Sequence, residues 1–309
     1  MKVLVTGADG FIGARVVRRL LENHHQVGVL TRGVSGWRRL RGLEHSVSPI
    51  ESALEDLDAL GSELSRWRPE ICIHLAWYAE PGLYRTAPQN LACLQTGLQL
   101  LETLALVGCR HVVMVGTCAE YDTDAGYLKE DGPTRPTSLY AASKLALSAL
   151  AGARATQLGL GFTWARLFYL YGPGEDPRRL IPALIQALLR GEKFQAMSGT
   201  QVRDYLHVDD VAAALCALAE QAVPGVFNVC SGEPITMAHL MGIVGDFLEC
   251  KHLIQFGAIP DRDWEPPFIC GDNRRLRRLG TWAPQHTLAE GLRATVRWWE
   301  ARDRTSLAS

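Results

Sequence analysis

Short, nearly uninterrupted apolar runs alternate with helical patterns along the first half of the chain. The runs occupy residues 2–7, 26–31, 71–76 and 111–116. Continuous hydrophobicity over so few residues indicates strands that are buried on both faces of a parallel sheet. Between the runs, apolar residues recur at helical spacing at 11–24 and 88–108. This alternation predicts an α/β protein built on a doubly wound parallel sheet.

The pattern changes in the second half of the chain. A helix is predicted at 139–159 and a strand at 161–172, after which the order of elements becomes irregular. Further helices are predicted at 179–190, 209–221 and 236–248. We therefore expect a main domain over 1–170, to which 203–230 returns, and a smaller C-terminal lobe formed by 171–202 and 231–309.

The composition argues against several classes of partner. Thirty-two Lys and Arg residues stand against thirty-three Asp and Glu, giving a formal net charge of -1 at pH 7. Such a balanced chain has no overall field that would attract nucleic acid or an anionic membrane. The opening MKVLVTGADG lacks the pattern of a signal peptide, and no apolar run approaches the roughly eighteen residues of a membrane span. A cytoplasmic protein is expected.

Cysteine and histidine spacing indicates neither disulfides nor a metal site. The eight cysteines form no CxxC pair and stand mostly in apolar surroundings, which suits reduced thiols that act as small hydrophobic side chains. His24 with His25, and His207 with His239, have no ligand spacing that other residues support. No metal is therefore expected.

A glycine turn follows the first predicted strand. GADGFIG places Gly7, Gly10 and Gly13 at the mouth of the first helix. This spacing lets backbone N–H groups and the helix N-terminus approach a pyrophosphate, while the last glycine lets the helix pack close to the strand. We expect a Rossmann-type dinucleotide site, the alternative being a tight turn without a ligand. Other expected cofactor contacts are Asp9, Phe11 and Ile12 in the turn, and Leu75 and Ala76 at the end of the run at 71–76.

The end of the run at 26–31 bears on the choice of dinucleotide. Folds that prefer NAD usually carry an acidic residue there, which binds the ribose 2′-hydroxyl. This chain has Thr31 and Arg32, with Arg38 and Arg39 nearby. A guanidinium can pair with a 2′-phosphate and stack on adenine, so Thr31 and Arg32 are predicted cofactor contacts and NADP(H) is favoured over NAD(H). The alternative is a solvated arginine at a strand end.

A tyrosine and a lysine share one face of the predicted helix at 139–159. In YAASK, Tyr140 and Lys144 are four residues apart and therefore project from the same side. A phenol titrates near pH ~10, but an adjacent ammonium group lowers that pKa. Such a tyrosine can exchange a proton with a carbonyl or alcohol oxygen near neutral pH. The alternative is that both residues are ordinary polar positions of an amphipathic helix, without a catalytic role.

Together these motifs resemble the extended short-chain dehydrogenase/reductase family, which includes nucleotide-sugar epimerases, dehydratases and reductases. The resemblance rests on GxxGxxG, on Thr117 about twenty residues before YxxxK, and on three later segments. These are YGPGE (171–175), RDYLHVDDVAAAL (203–215) and the closing pattern DNRRLRRLGTWAP with LAEGLRATVRWW. The resemblance extends from about residue 1 to residue 300. It specifies the family but not a reaction within it.

The resemblance implies a role for three residues. Tyr140 would be the acid/base, Lys144 would hold the nicotinamide ribose and tune Tyr140, and Thr117 would hydrogen-bond the reacting sugar oxygen. The cofactor would carry the hydride. The resemblance also implies a nucleotide-diphosphate-sugar substrate bound by the C-terminal lobe, and a homodimer formed through the helices at 88–108 and 139–159.

The stretch GTCAEYD (116–122) argues against one reaction of this family. The nucleotide-sugar 4,6-dehydratases carry Thr-Asp-Glu here, and their two carboxyl groups eliminate water. In this chain Thr117 is followed by Cys118 and Ala119, which do not replace an acid/base pair. Glu120 stands one position too late for a simple substitute. Cys118 and Glu120 are nevertheless predicted to contact the substrate.

Ketone reduction and epimerisation remain as candidate reactions. A reductase must exchange its spent cofactor, which the arginine at 32 favours, whereas an epimerase keeps its cofactor and returns the hydride. Trp77 and Tyr78, in HLAWYAEPG (74–82), would narrow the space in which a hexose turns over. The alternative for Trp77 is core packing.

The resulting prediction is an NAD(P)H-dependent 4-ketoreductase of a nucleotide-diphosphate 4-keto-6-deoxyhexose. Trp77 is a predicted substrate contact, and Arg203 and Arg262 match positions from which relatives bind the diphosphate. For both arginines the alternative is a surface role. The first alternative function is a nucleotide-sugar 4-epimerase with tightly held NAD. A more remote one is a cofactor-sensing regulator without turnover.

Overall fold

The computed structural model describes residues 1–307, with side chains as far as Asp303. In chain order its helices and strands are β1 (Lys2–Thr6), α1 (Gly13–Glu22), β2 (Gln26–Thr31), β3 (Ser48–Glu51), α2 (Leu57–Trp67), β4 (Ile71–His74), α3 (Gln89–Leu106), β5 (His111–Thr117), β6 (Tyr127–Leu128), α4 (Leu139–Leu158), β7 (Gly161–Leu167), β8 (Tyr169–Tyr171), α5 (Leu180–Leu189), β9 (Phe194–Gln195), β10 (Val202–His207), α6 (Val208–Gln221), β11 (Gly225–Val229), β12 (Pro234–Thr236), α7 (Met237–Phe247), β13 (Ile254–Gln255), β14 (Cys270–Gly271), α8 (Arg274–Arg277) and α9 (Leu288–Leu307).

Seven parallel strands form the main sheet, in the order β11-β7-β5-β4-β1-β2-β3. Val3 of β1 lies beside Val27 of β2 on one side and Ile71 of β4 on the other. The strand order reverses at this point, because β2 and β3 extend to one side and the remaining strands to the other. The loops that leave the carboxyl ends of β1 and β4 therefore diverge and open a crevice. The predicted doubly wound α/β fold is confirmed.

Strand β1 illustrates why the sheet strands are apolar runs. Val3 and Val5 pack into the core that the sheet shares with α1 and α6, whereas Leu4 packs into the core shared with α2, α3 and α4. Successive residues of a strand point to opposite faces, so burial on both faces requires apolar residues at every position. Each of these three side chains is at most 1% exposed, and burying such a side chain stabilises the fold by roughly 1.5–3 kcal/mol.

The segment predicted as one strand at 161–172 is divided between two sheets. β7 joins the main sheet, whereas β8 pairs with β10 in a three-stranded sheet. The break falls at Phe168, whose N–H donates to the carbonyl oxygen of Val229 at 3.3 Å. Its ring is buried in a small cluster between the two sheets. The apolar pattern continues through the break, so periodicity alone did not reveal it.

Strand β3 and helix α2 were not predicted from the sequence. β3 reads SPIE and lies at the edge of the sheet, where a strand tolerates proline and polar residues. Helix α2 begins after Asp56, whose carboxylate accepts the N–H of Ala59 at 3.1 Å, a standard N-cap. This cap signal was present in the sequence but was not used.

Helices α5, α7 and α9 form the core of the C-terminal lobe. Leu184, Leu240 and Leu292, one from each helix, are completely buried there. The helices predicted in this half of the chain correspond to α5, α6 and α7 within one residue at each end. The segment 203–230 is divided, since β10 pairs with β8 and β12 while β11 joins the main sheet. The domain boundaries stay a prediction. Within residues 1–307, no helix is both long and apolar enough to cross a membrane.

Candidate active site

The loops after β1 and β4 are fastened together at the crevice. The Thr6 hydroxyl accepts the N–H groups of Leu75 and Ala76, each at 3.2 Å, and lies 2.8 Å from His74 Nδ1. Because that oxygen accepts two amides, its proton points at His74 Nδ1, which makes His74 a neutral Nε2–H tautomer. Burial lowers the pKa of His74 to about 3, so the ring stays neutral. Leu75 and Ala76 thus lie beside the glycine turn, and their contact with a cofactor stays a prediction.

The glycine turn has no room for side chains. Gly7 adopts a φ of +64°, and a Cβ there would lie 2.8 Å from the nitrogen of Ala76. A Cβ on Gly13 would lie 2.7 Å from Ala8 Cα, and Gly10 N–H donates to the Gly7 carbonyl at 3.0 Å. Phe11 and Ile12 follow, immediately before α1. This close backbone approach at a helix N-terminus fits the pyrophosphate of a dinucleotide.

Asp9 and Thr31 are engaged by the chain itself. The Asp9 carboxylate accepts the N–H groups of Arg38, Arg39 and Leu40 at 2.7–3.1 Å. The Thr31 hydroxyl donates to Gly33 O and accepts from Gly33 N and Trp37 Nε1, at 3.0–3.1 Å. Direct cofactor binding by these two side chains, predicted from the sequence, does not agree with this arrangement. They shape the loop after β2, and Arg32 remains exposed at its start.

Thr117, Tyr140 and Lys144 converge at the carboxyl end of β5. Ser138 caps α4 by accepting the N–H of Ala141 at 3.2 Å, and Tyr140 and Lys144 follow one turn apart on its inner side. Lys144 Nζ donates to the carbonyl oxygen of Val115 at 2.7 Å. The Thr117 hydroxyl accepts the N–H of Ala119 at 3.2 Å. The spacing of YxxxK therefore places both side chains against the strand that ends in Thr117.

Burial dominates the titration of the tyrosine and the lysine. It raises the pKa of Tyr140 well above its usual value, opposed in part by a hydrogen bond from the Thr117 hydroxyl. It lowers the pKa of Lys144 to about 7. The lysine ammonium contacts Val115 O and the face of Trp77, 3.7 Å from its ring centroid. The expected lowering of the Tyr140 pKa by Lys144 is therefore not produced by this arrangement.

We expect Lys144 to make folding stability depend on pH. Its pKa falls from 10.5 to about 7 on folding, so between these values the unfolded chain holds a proton that the folded chain has lost. Stability therefore rises with pH across this window, by about 2 kcal/mol between pH ~7 and ~9. The free energy of unfolding, measured by denaturant titration across this range, should lack this rise in Lys144→Met.

Lys251 provides the control for this measurement. It is an exposed lysine paired with Asp246, so Lys251→Met should retain the pH dependence of the wild type. An equal pH dependence for wild type and Lys144→Met would show that Lys144 titrates normally in the folded protein.

Two aromatic rings enclose Tyr140. The rings of Trp77 and Tyr84 meet it edge-on, with centroids 6.3 and 4.9 Å away. Asn90 is completely buried and contacts both residues. Its Oδ1 accepts from the Trp77 ring Nε1 at 2.8 Å, and its Nδ2 donates to the main-chain carbonyl oxygen of Tyr84 at 2.7 Å. Trp77 therefore packs and lines the site at once. Tyr84 and Asn90 were not predicted as site residues. The polar Asn90, in the first turn of α3, could have indicated a buried hydrogen bond there.

Cys118 and Glu120 are both buried, which argues against the prediction that they contact the substrate. Residues Cys118–Glu120 form a 3-10 turn instead of continuing the strand. The Cys118 side chain is buried beside Tyr121 and Phe168, and burial raises the pKa of its thiol to about 12. Glu120 is 0% exposed. Its carboxylate accepts the Thr117 N–H at 2.8 Å and pairs with Arg166 at 2.7 Å.

The two predicted diphosphate ligands differ in setting. Arg203 is 1% exposed and pairs with Glu265 at 2.7 Å, which excludes the surface alternative for Arg203. Arg262 is exposed, with its guanidinium 5.4 Å from the ring centroid of Trp264. Arg85 lies over the same ring at 4.4 Å. Binding of a diphosphate by Arg203 and Arg262 stays a prediction.

Two histidines that are distant in sequence meet between α6 and the start of α9. Ligand atoms of His207, Asp209 and His286 lie within 4.8 Å of one another, a grouping that sequence spacing did not suggest. Other contacts account for it. His207 Nδ1 accepts the Asp209 N–H at 3.3 Å, His286 pairs with Asp210 at 3.1 Å, and the two rings stack with centroids 4.2 Å apart. We interpret the cluster as a fastening between the two segments.

Residues 3–230 match the NAD dependent epimerase/dehydratase family. The chain is 31% identical to a UDP-glucose 4-epimerase of Mycolicibacterium smegmatis, over 96% of this chain and 97% of that relative. It is 30% identical to a dTDP-glucose 4,6-dehydratase of Streptomyces griseus, over 96% and 93%. It is 27% identical to a dTDP-6-deoxy-L-talose 4-dehydrogenase (NAD(+)) of Aggregatibacter actinomycetemcomitans, over 76% and 86%.

Solved structures give the same result. A UDP-glucose 4-epimerase of Thermotoga maritima with UDP-glucose superposes with a TM-score of 0.86 and 27% identity, covering 98% of this chain and 99% of that one. A UDP-glucose 4-epimerase of Thermus thermophilus in complex with NAD superposes with a TM-score of 0.83 and 27% identity, covering 97% and 99%. The chain is therefore a member of the NAD dependent epimerase/dehydratase family, as the resemblance to the extended short-chain dehydrogenases/reductases predicted.

Proposed function

We propose that the protein is an NAD(P)H-dependent 4-ketoreductase of a nucleoside-diphosphate 4-keto-6-deoxyhexose. The observation that carries this proposal is the convergence of Thr117, Tyr140 and Lys144 within an aromatic enclosure formed by Trp77 and Tyr84. These groups suit proton transfer to a ketone oxygen, and the cradle of the glycine turn suits a dinucleotide. A relative named as a 4-dehydrogenase of a dTDP-6-deoxysugar supports the same class of reaction.

The reduction assigns a task to each side chain of the site. A reduced nicotinamide cofactor, when bound beside the glycine turn, would supply the hydride for C4. The Thr117 hydroxyl accepts an N–H from Ala119 and donates to Tyr140, so on substrate binding its proton turns from Tyr140 to the C4 oxygen. Tyr140 then gives that oxygen its proton. Burial keeps the phenol protonated at neutral pH because it raises the pKa, which suits the donor that a reduction requires.

Elimination of water is not supported by the residues after Thr117. Ala119 has no acid/base group, and the Cys118 thiol, with its pKa raised to about 12, stays protonated. The Glu120 carboxylate is buried against Arg166. A dehydratase needs an acid and a base beside the sugar, and none of these three residues provides one.

Epimerisation is the second candidate, since the M. smegmatis relative is named as a UDP-glucose 4-epimerase. An epimerase must present both faces of a keto-hexose to the same cofactor. The rings of Trp77 and Tyr84 stand edge-on against Tyr140, and we expect them to narrow the space in which a hexose would rotate. The two functions differ in one measurable way, because only the reductase consumes reduced cofactor.

The test is to generate a 4-keto-6-deoxyhexose nucleotide in situ and to follow the reduced-nicotinamide absorbance after the protein is added. We expect loss of reduced cofactor in proportion to a new 6-deoxyhexose nucleotide. Interconversion of two sugar nucleotides with no net loss of NADPH or NADH would replace the ketoreductase by the epimerase.

We further propose that Arg32 selects NADPH. It is exposed at the end of β2, where a guanidinium can pair with the 2′-phosphate. Arg32→Ala should weaken NADPH binding by about tenfold or more, because charged hydrogen bonds contribute roughly 1.5–3 kcal/mol, and should leave NADH binding nearly unchanged. Fluorescence titration of both cofactors measures this. The exposed Arg297 of α9 is the matched control, and equal losses for both cofactors would refute the selection.

We also propose that the substrate diphosphate lies between Arg203 and Arg262, and that the protein is a homodimer. The proposed dimer forms through α3 and α4, which pack side by side and present Leu91, Leu106 and Leu150, each at least 51% exposed. Exposed leucines on two adjacent helices are a feature of interaction surfaces. The molar mass in solution tests this, and a monomer would refute it.

A further inference from the structure

Glu120 has no place in the proposed chemistry, yet its carboxylate is completely buried only three residues after Thr117. It is 0% exposed, and its carboxylate oxygens act only as acceptors in the hydrogen bonds that follow. Its Oε1 accepts the Thr117 N–H at 2.8 Å. Trp164 Nε1 lies 3.1 Å and Arg166 Nε 2.7 Å from Oε2. A protonated acid would leave its own O–H without an acceptor, so these contacts fit an ionised carboxylate.

Strand β5 leaves space for this carboxylate at Gly116. A Cβ on Gly116 would clash with Glu120 Oε1 and would lie 2.6 Å from Trp164 Cε2. Glycine at 116 thus lets Glu120 and Trp164 press on the backbone immediately before Thr117. The carboxylate therefore joins the end of β5 to Trp164 and Arg166 of the neighbouring strand β7.

Thr117 is held by a reciprocal capping box. Its hydroxyl accepts the Ala119 N–H at 3.2 Å, while its own N–H donates to the Glu120 side chain. Both the backbone and the χ1 angle of Thr117 are fixed in this way. The hydroxyl proton is thereby directed toward Tyr140, on the side where the substrate oxygen would lie.

The charge on Glu120 is balanced by Arg166. Burial raises the pKa of Glu120, and the guanidinium opposes this. Arg166 is in turn held by the Glu130 carbonyl oxygen at 3.2 Å and by the face of Tyr121, 4.3 Å from its centroid. Among these contacts, Arg166 is the one cation that meets the Glu120 carboxylate, and Glu120 is the one anion that meets the Arg166 guanidinium. The two charges therefore compensate each other.

We propose that Glu120 is a positioning residue, whose buried carboxylate fixes Thr117 so that its hydroxyl reaches the C4 oxygen of the substrate. This inference rests on the proposed function, which assigns that contact to Thr117. Glu120 itself touches neither substrate nor cofactor. A substitution should therefore act on turnover through Thr117. The Glu120 charge also raises the pKa values of Tyr140 and Lys144, and that separate effect is read from the pH profile of kcat.

A double-mutant cycle between Glu120→Gln and Thr117→Val tests this. Glu120→Gln should lower kcat by about tenfold or more, with KM and the cofactor Kd changed by less than about threefold. In the Thr117→Val background the same substitution should lower kcat by less than about threefold, because the hydroxyl that it misplaces is gone. A second loss of about tenfold in that background would overturn the proposal, and so would an unchanged kcat with a lowered melting temperature.

Two further variants keep the result interpretable. Glu120→Gln leaves Arg166 buried without its counter-charge, and if that variant does not fold, Glu120→Leu with Arg166→Met removes both charges and should show the same loss of kcat. Glu130→Gln is the matched control, since Glu130 also accepts a backbone N–H, from Asn228 at 3.0 Å, away from Thr117. It should change kcat by less than about threefold.

Failure of the proposed function would be seen separately, in the wild type. If the wild type interconverts sugar nucleotides without consuming cofactor, the ketoreductase proposal fails. The cycle is then measured on that interconversion, where coupling between Glu120 and Thr117 still supports the positioning role and additivity still refutes it.

Discussion

Replacing Tyr140 by phenylalanine should lower kcat for ketone reduction by about 10²–10⁴-fold, the usual contribution of a positioned proton donor. The phenol is the group that gives the C4 oxygen its proton, and phenylalanine keeps the ring but not the O–H. The ring should remain between Trp77 and Tyr84, because the Tyr140 N–H still donates to Arg85 O at 3.0 Å. Cofactor affinity should therefore change by less than about threefold. Consumption of NADPH and a fluorescence titration measure the two quantities.

Tyr127→Phe is the control for this substitution. Tyr127 is 49% exposed on β6, so removing its hydroxyl should leave kcat nearly unchanged. If Tyr140→Phe also retains full activity, the proton comes from another group. A wild type with no turnover to lose, but with tight NADPH binding, would instead favour the cofactor-sensing regulator.

The resting protonation state of Tyr140 suits the proposed reduction. A phenol whose pKa is raised by burial stays protonated and can donate to a ketone oxygen, whereas oxidation of an alcohol needs the phenolate. Lys144, expected from the sequence to lower this pKa, is occupied by Val115 O and the Trp77 ring. The protein alone therefore holds the tyrosine in the state that a ketoreductase uses.

The fold was largely predictable because its signals are local. β2 has the predicted bounds, and α3 and α4 differ from the predicted helices by at most two residues at either end, since each depends on a run of apolar residues or on a cap within the segment itself. β3 escaped prediction because it lies at the sheet edge, where burial no longer demands an apolar run.

The sequence motifs predicted which residues lie at the site, but not the direction in which every side chain there points. The motifs located Thr117, Tyr140 and Lys144, which the fold brings together. The partners of Glu120 are Trp164 and Arg166, more than forty residues away on another strand, and nothing near Glu120 indicates them. Its sequence position alone suggested a substrate contact, whereas the structure turns its carboxylate into the protein.

Asp9 shows the same limit in the cofactor region. It lies in the glycine turn, where a cofactor contact was expected, yet its carboxylate accepts three successive amides from residues 38–40. Those amides belong to a loop without regular structure, so no periodicity could place them. The partner of the Asp9 carboxylate therefore depended on tertiary structure, which residue type does not indicate.

Gly13→Ala should weaken NADPH binding by about a hundredfold or more and lower stability by about 1–3 kcal/mol, the typical cost of overpacking. A Cβ at this position would clash with the Gly7 carbonyl and lie 2.7 Å from Ala8 Cα. Both neighbours are backbone, which cannot swing aside as a side chain does. Removing this clash requires α1 to move away from β1. That movement displaces the N–H groups that would bind the pyrophosphate. Titration with NADPH and thermal unfolding with and without cofactor measure the two effects.

Gly36→Ala separates this steric effect from the general cost of replacing a glycine. A Cβ at Gly36 would meet nothing within 4 Å, so this variant should bind NADPH as the wild type does and unfold at a similar temperature. If Gly13→Ala binds NADPH normally, the turn is a tight structural connection that does not bind the pyrophosphate. Loss of binding at Gly13 with retention at Gly36 would instead support the close contact between α1 and the end of β1 as the feature that creates the dinucleotide site.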